Sequence, residues 1–240
     1  MRLLAIVLAA LACTAAQAAE IRRYETRVDL DADGRAQATA TVELAGLVSG
    51  ALRVPVGFAR LEDFRAISAP PGITLAPGGN GDGAWVDVRL EEGIPPTATL
   101  AFAYRSNGML FVPRPEPGQK AKLPEGSRLV RHRFVNTQEA PIGRYALTVR
   151  LPESDRVHAI REQTPKPGRK EFAPRVELDR YEGRQGAMLQ LASMRQGDRA
   201  TMELEVVPAR RSILWLLGLL PIAAGYLWYF RDLVTRRPSG

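Results

Sequence analysis

Three aspartates at alternate positions, Asp29, Asp31 and Asp33, run into Gly34 and match the opening of a calcium loop, D-x-D-x-D-G. Carboxylates at that spacing suit a hard divalent cation, but the loop needs a bidentate carboxylate at its twelfth position. Ala40 stands there, so the three are weak metal candidates and a tight turn accounts for them as well. The run Gly78-Gly79-Asn80-Gly81-Asp82-Gly83 resembles part of a calcium-binding glycine-rich repeat, which works only when stacked. It occurs once, and no Lys-Ser/Thr follows it as a phosphate loop would require. It is expected to be a hairpin loop leading into Trp85.

The two histidines, His132 and His158, lie far apart in sequence. Zinc or copper would want clustered imidazoles with carboxylates. His132 alternates in phase with Val130 and Phe134, which predicts a core position. Neither G-x-S-x-G nor S-x-x-K occurs, and Glu91-Glu92 stand beside Gly93 at a strand end, where solvated charge suffices. No catalytic residue and no cofactor is assigned, and a non-enzymatic protein is expected. The remaining signal is basic: Arg114, Lys120, Lys122, Arg128, Arg131 and Arg133. On a strand, Arg131 and Arg133 share one face, and the group is a candidate patch for an anionic partner, or an ordinary solvated face.

The elements that must position these residues are strands. Tyr24, Thr26, Val28 and Leu30 alternate with polar residues, and so do Ala36, Ala38, Ala40, Val42 and Leu44. Both runs face one side only if Leu30 opposes Ala36, Val28 opposes Ala38 and Thr26 opposes Ala40. Asp31 and Arg35 then close a three-residue loop whose third position, Gly34, wants a left-handed backbone. Further alternating runs begin at Leu52, Val86, Ala98, Val130, Tyr145, Val176, Leu189 and Met202, separated by Pro/Gly-rich breaks. The pattern predicts an all-β, antiparallel sandwich. A Pro/Gly/Lys-rich stretch suggests two immunoglobulin-like modules, 20–112 and 127–208, joined by a linker or loop over 113–126.

The chain has 240 residues with 45% hydrophobic content, enough for a core, and a formal charge of +7. Residues 20–209 hold 27 Lys+Arg against 25 Asp+Glu, so the domain itself is nearly neutral. The basic balance is no sign of nucleic acid, and neither nucleic acid nor nucleotide is expected as a partner. Residues 1–19 have the charged, apolar and A-x-A regions of a signal peptide, and Cys13 lacks the aliphatic residue usual three places before a lipidated cysteine. No cysteine lies beyond it, so the remaining chain is disulfide-free. Ile213 to Phe230 carries no charge, with aromatic residues near both ends and arginines on both flanks. At 1.5 Å per residue it predicts a single transmembrane helix, with a cytoplasmic tail over 231–240. These ends place the protein in a bacterial inner membrane, single-pass, with its N-terminal domain periplasmic. The resulting expectation is a membrane-tethered periplasmic sandwich that binds or assembles with another envelope protein. The alternative is a domain that binds a glycan or metal ion, or hydrolyses its ligand.

Overall fold

The computed structural model describes residues 19–80, 83–113, 124–139, 141–164, 176–209, 221–222, 224–226 and 229–231. Its strands are β1 (Glu20–Leu30), β2 (Ala36–Ala45), β3 (Gly50–Val56), β4 (Glu62–Ser68), β5 (Ile73–Asn80), β6 (Gly83–Leu90), β7 (Thr97–Ser106), β8 (Leu110–Phe111), β9 (Arg128–Val135), β10 (Ile142–Arg150), β11 (Asp155–Thr164), β12 (Val176–Tyr181), β13 (Arg184–Leu191) and β14 (Arg199–Pro208). β1 and β2 form the hairpin that the period-two pattern requires, with Leu30 opposite Ala36, Val28 opposite Ala38 and Thr26 opposite Ala40. The Asp31 N–H donates to the Arg35 carbonyl at 3.1 Å, and Gly34 takes a φ of +83°.

The largest sheet runs β12-β13-β10-β1-β2-β7-β4, and two smaller ones run β11-β14-β9-β8 and β3-β6-β5. All three turn their apolar residues into one buried cluster. Tyr24 of β1 and Tyr145 of β10 meet Phe134 of β9, with ring centroids 5.3 and 4.4 Å from it. The Tyr24 hydroxyl donates to the Pro55 carbonyl on β3 at 2.7 Å. The large sheet is thus one layer of a sandwich, and the two smaller sheets together make the other.

Three expectations are corrected. The sandwich is not purely antiparallel, because β1 and β10 pair in parallel, with Tyr24 opposite Tyr145 and Asp29 opposite Arg150. That pairing also corrects the picture of two immunoglobulin-like modules. Strands from both sides of 113–126 lie in one sheet and one core, and Met1–Pro208 forms one compact unit. Each half alone would leave an apolar, unpaired strand edge at β1 or β10, which pairing removes. Residues 114–123 of the supposed linker lie outside the described residues.

The third correction concerns the C-terminal segment, which belongs to a second unit, Ala209–Gly240. Among the described residues no helix is long and apolar enough to cross a membrane. The expected transmembrane helix, the membrane as a partner and the single-pass inner-membrane placement are therefore not supported. Residues 213–220 of that segment, and the expected signal peptide before Ala19, lie outside the described residues.

Candidate functional site

A cleft of about 1110 Å³ opens on the outer side of the split layer, between β3 and β6 on one hand and the end of β9 on the other. Strand alternation builds its floor. The core takes Val54, Val86 and Val88, so the intervening residues Arg53, Trp85, Asp87 and Arg89 face outward. The register sets Arg53 opposite Asp87 and Gly78 of β5 beside Trp85. Gly78 is required there: a Cβ would lie 2.3 Å from the Trp85 ring nitrogen and 2.9 Å from Asp87 Oδ2. Arg133 and Val135 of β9, with Thr137 and Gln138 beyond it, form the opposite wall.

The Trp85 indole N–H donates to Asp87 Oδ1 at 3.0 Å, which fixes the ring's orientation. The Arg53 guanidinium lies 4.8 Å from the Trp85 ring centroid and 3.4 Å from the same carboxylate oxygen. Cation–π attraction and this ion pair hold the arginine over the ring. Arg89 and Arg133 are exposed and have no ion pair among the described residues. Arg89 and Arg133 thus line the same cleft as the Asp87 carboxylate, which Trp85 and Arg53 engage. The arrangement offers two always-charged forks, Arg89 and Arg133, that carry no ion pair among the described residues and suit carboxylate or phosphate.

The sequence-predicted basic patch is dispersed. Arg114, Lys120 and Lys122 lie outside the described residues. Arg128 pairs with buried Asp155 and donates to the Ala32 carbonyl, while Arg131 pairs with Glu203 and sits 5.6 Å from the Phe111 ring centroid. Only Arg133 of the described three reaches the cleft. Of the aspartates, Asp29 pairs with Arg150 and Arg184, Asp31 accepts the Arg35 N–H at 2.8 Å, and Asp33 is exposed. Among the described residues no group of His, Cys, Asp and Glu is arranged to hold a metal ion. Arg53, Asp87 and Arg89 escaped notice because each is the polar member of an alternating run. Pairing the Leu52 and Val86 runs would have brought them together.

His132 lies beneath this region, fully within the core, while His158 is exposed. His132 Nε2 is 3.1 Å from the Tyr145 hydroxyl, and Nδ1 is buried without a hydrogen-bond partner among the described residues. Burial pushes the imidazole pKa down to about 4. Burial likewise raises the Tyr145 and Tyr104 hydroxyls well above their ordinary range. These groups stay neutral at ordinary pH.

No protein-family model matches the sequence, and no curated protein sequence matches it. Solved structures with a similar arrangement include yeast LTA4 hydrolase in complex with bestatin, at a TM-score of 0.46 and 7% identity, covering 78% of this chain and 28% of that one. A proposed protease from Parabacteroides distasonis gives 0.43 and 9%, covering 78% and 40%. An M1 zinc metallopeptidase from Deinococcus radiodurans gives 0.38 and 12%, covering 79% and 42%. This chain spans less than half the length of each, and at these scores the likeness says nothing of its activity.

Proposed function

We propose that the β domain is a non-enzymatic binding module that takes an acidic segment of another protein into the Trp85 cleft. The observation that carries this reading is that Arg89 and Arg133, exposed and without an ion pair among the described residues, line one cleft with Trp85 and the Arg53–Asp87 pair. Carboxylate side chains of the partner pair with Arg89 and Arg133, beside the Arg53-covered indole. Arg and Trp are the side chains most often found at the energetic centre of protein interfaces.

The test is a titration of the full chain with poly-L-glutamate and, separately, poly-L-lysine, read by tryptophan fluorescence. Poly-L-glutamate should bind and Arg133→Glu should weaken it about tenfold or more, since reversal replaces attraction by like-charge repulsion. Equal binding of both polymers, or of wild type and variant, would remove the reading.

A further inference from the structure

The mode of binding can be taken further on the reading just given. We propose that the acidic segment is held as an added β-strand, inserted between β3 and β9 and hydrogen-bonded to both. The layer opposite the seven-stranded sheet is broken into sheets of three and four strands, and the break is the cleft. Among the described residues β3 pairs only with β6. On its other side β9 is covered, among the described residues, by β8 only at Leu129 and Val130, with one more bond from the Arg131 N–H to the Met109 carbonyl at 2.8 Å. Two strand edges thus face the same opening.

The direction of their backbone groups follows from chemistry already described. Pro55 has no N–H, so its pairing with Trp85 is of the kind in which the β3 residue offers no bond to β6. By the period of two, Ala51 and Arg53 also turn their N–H and C=O groups away from β6. On β9 the Arg131 N–H points away from β14, and the same period turns Arg133 and Val135 that way. All four of these residues line the cleft. At the closed end, Gly57 lets the chain lie against Arg133, where a Cβ would stand 3.0 Å from the carbonyl oxygen.

Proteins normally blunt or cover open strand edges, and here the edge positions are flanked by Arg53 and Arg133 rather than by another strand. An extended segment would bond the open groups of Ala51 and Arg53 on β3 and of Val135 on β9, beyond the closed end where Gly57 covers the Arg133 carbonyl. Its alternate side chains would point outward, where carboxylates meet Arg89 and Arg133. Strand addition takes affinity from main-chain bonds and specificity from such alternate contacts.

The experiment is selection of a random eight-residue peptide library on the full chain. The best binder is then resynthesised with alternate backbone nitrogens methylated, in each of the two registers. Methylation removes donors and leaves side-chain charge intact. The proposal expects acidic peptides, a loss of about tenfold or more in one methylation register, and slowed amide exchange at Ala51, Arg53 and Val135 in the complex. If acidic peptides bind, lose affinity in Arg133→Glu, and yet tolerate methylation in both registers, strand addition is wrong and the acidic-partner reading stands. If selection gives no acidic preference, both fall together.

Discussion

His132 sits in the core with one ring nitrogen against the Tyr145 hydroxyl and the other bare among the described residues. Its folded pKa of about 4 lies below the ordinary value of 6.5, so as pH falls the unfolded chain takes up the proton first. The stabilising contribution is complete above about pH 6.5 and is lost progressively toward pH 4. Urea unfolding should therefore show stability falling on the order of 3 kcal/mol across that window, and His132→Gln should flatten the slope. Equal slopes in the two proteins would show that this imidazole is not held neutral. In the cleft, Gly78→Ala should drive Trp85 off its seat, since the new Cβ would stand 2.3 Å from the ring nitrogen. Poly-L-glutamate affinity should drop about tenfold with the unfolding midpoint little changed, because only surface contacts are touched. Trp85 and Arg133 could be singled out in the sequence by rarity and charge. Arg53, Asp87 and Arg89 come together only once β3 is paired with β6, a register that joins Arg53 to Asp87 across more than thirty residues.

The β1–β2 hairpin was fully legible, since apolar alternation and turn chemistry demanded the same register. At its turn, Gly34→Ala places a side chain at φ +83° and 2.8 Å from Leu110 Cβ. It should lower stability by about 1–3 kcal/mol in chemical denaturation; a neutral result would mean that the turn relaxes freely. Other strands hid themselves for physical reasons. β4 is a bulged edge strand with Ile67 exposed, so no buried face imposes alternation on it. β5 contains Pro77, Gly78 and Gly79, which read as turn residues. As an edge strand it tolerates the proline, and at Gly78 the Trp85 ring needs the bare backbone. β11 is another edge, with two register shifts against β14.

At the scale of the whole molecule, the parallel joint of β1 and β10 makes one body of what the sequence suggests are two. Nothing local announces it, because residues more than a hundred positions apart make the pair and both strands also fit a hairpin-built sandwich. Cutting the chain proteolytically within 113–126 should leave the two fragments of the β domain associated at neutral pH, and their separation on a sizing column would contradict the shared sheet and core. The split in the opposite layer is the other feature of this scale, and it places the Trp85 cleft where two sheets part. The most direct measurement of that cleft's role is a nuclear magnetic resonance titration of the full chain with poly-L-glutamate. The Trp85 indole N–H and the amides of residues 51–53, 83–89 and 133–138 should shift, while Thr39, Thr41 and Thr148 on the outer face of the large sheet should not. Shifts confined to that outer face, or none at all, would contradict the assignment of the cleft as the binding site.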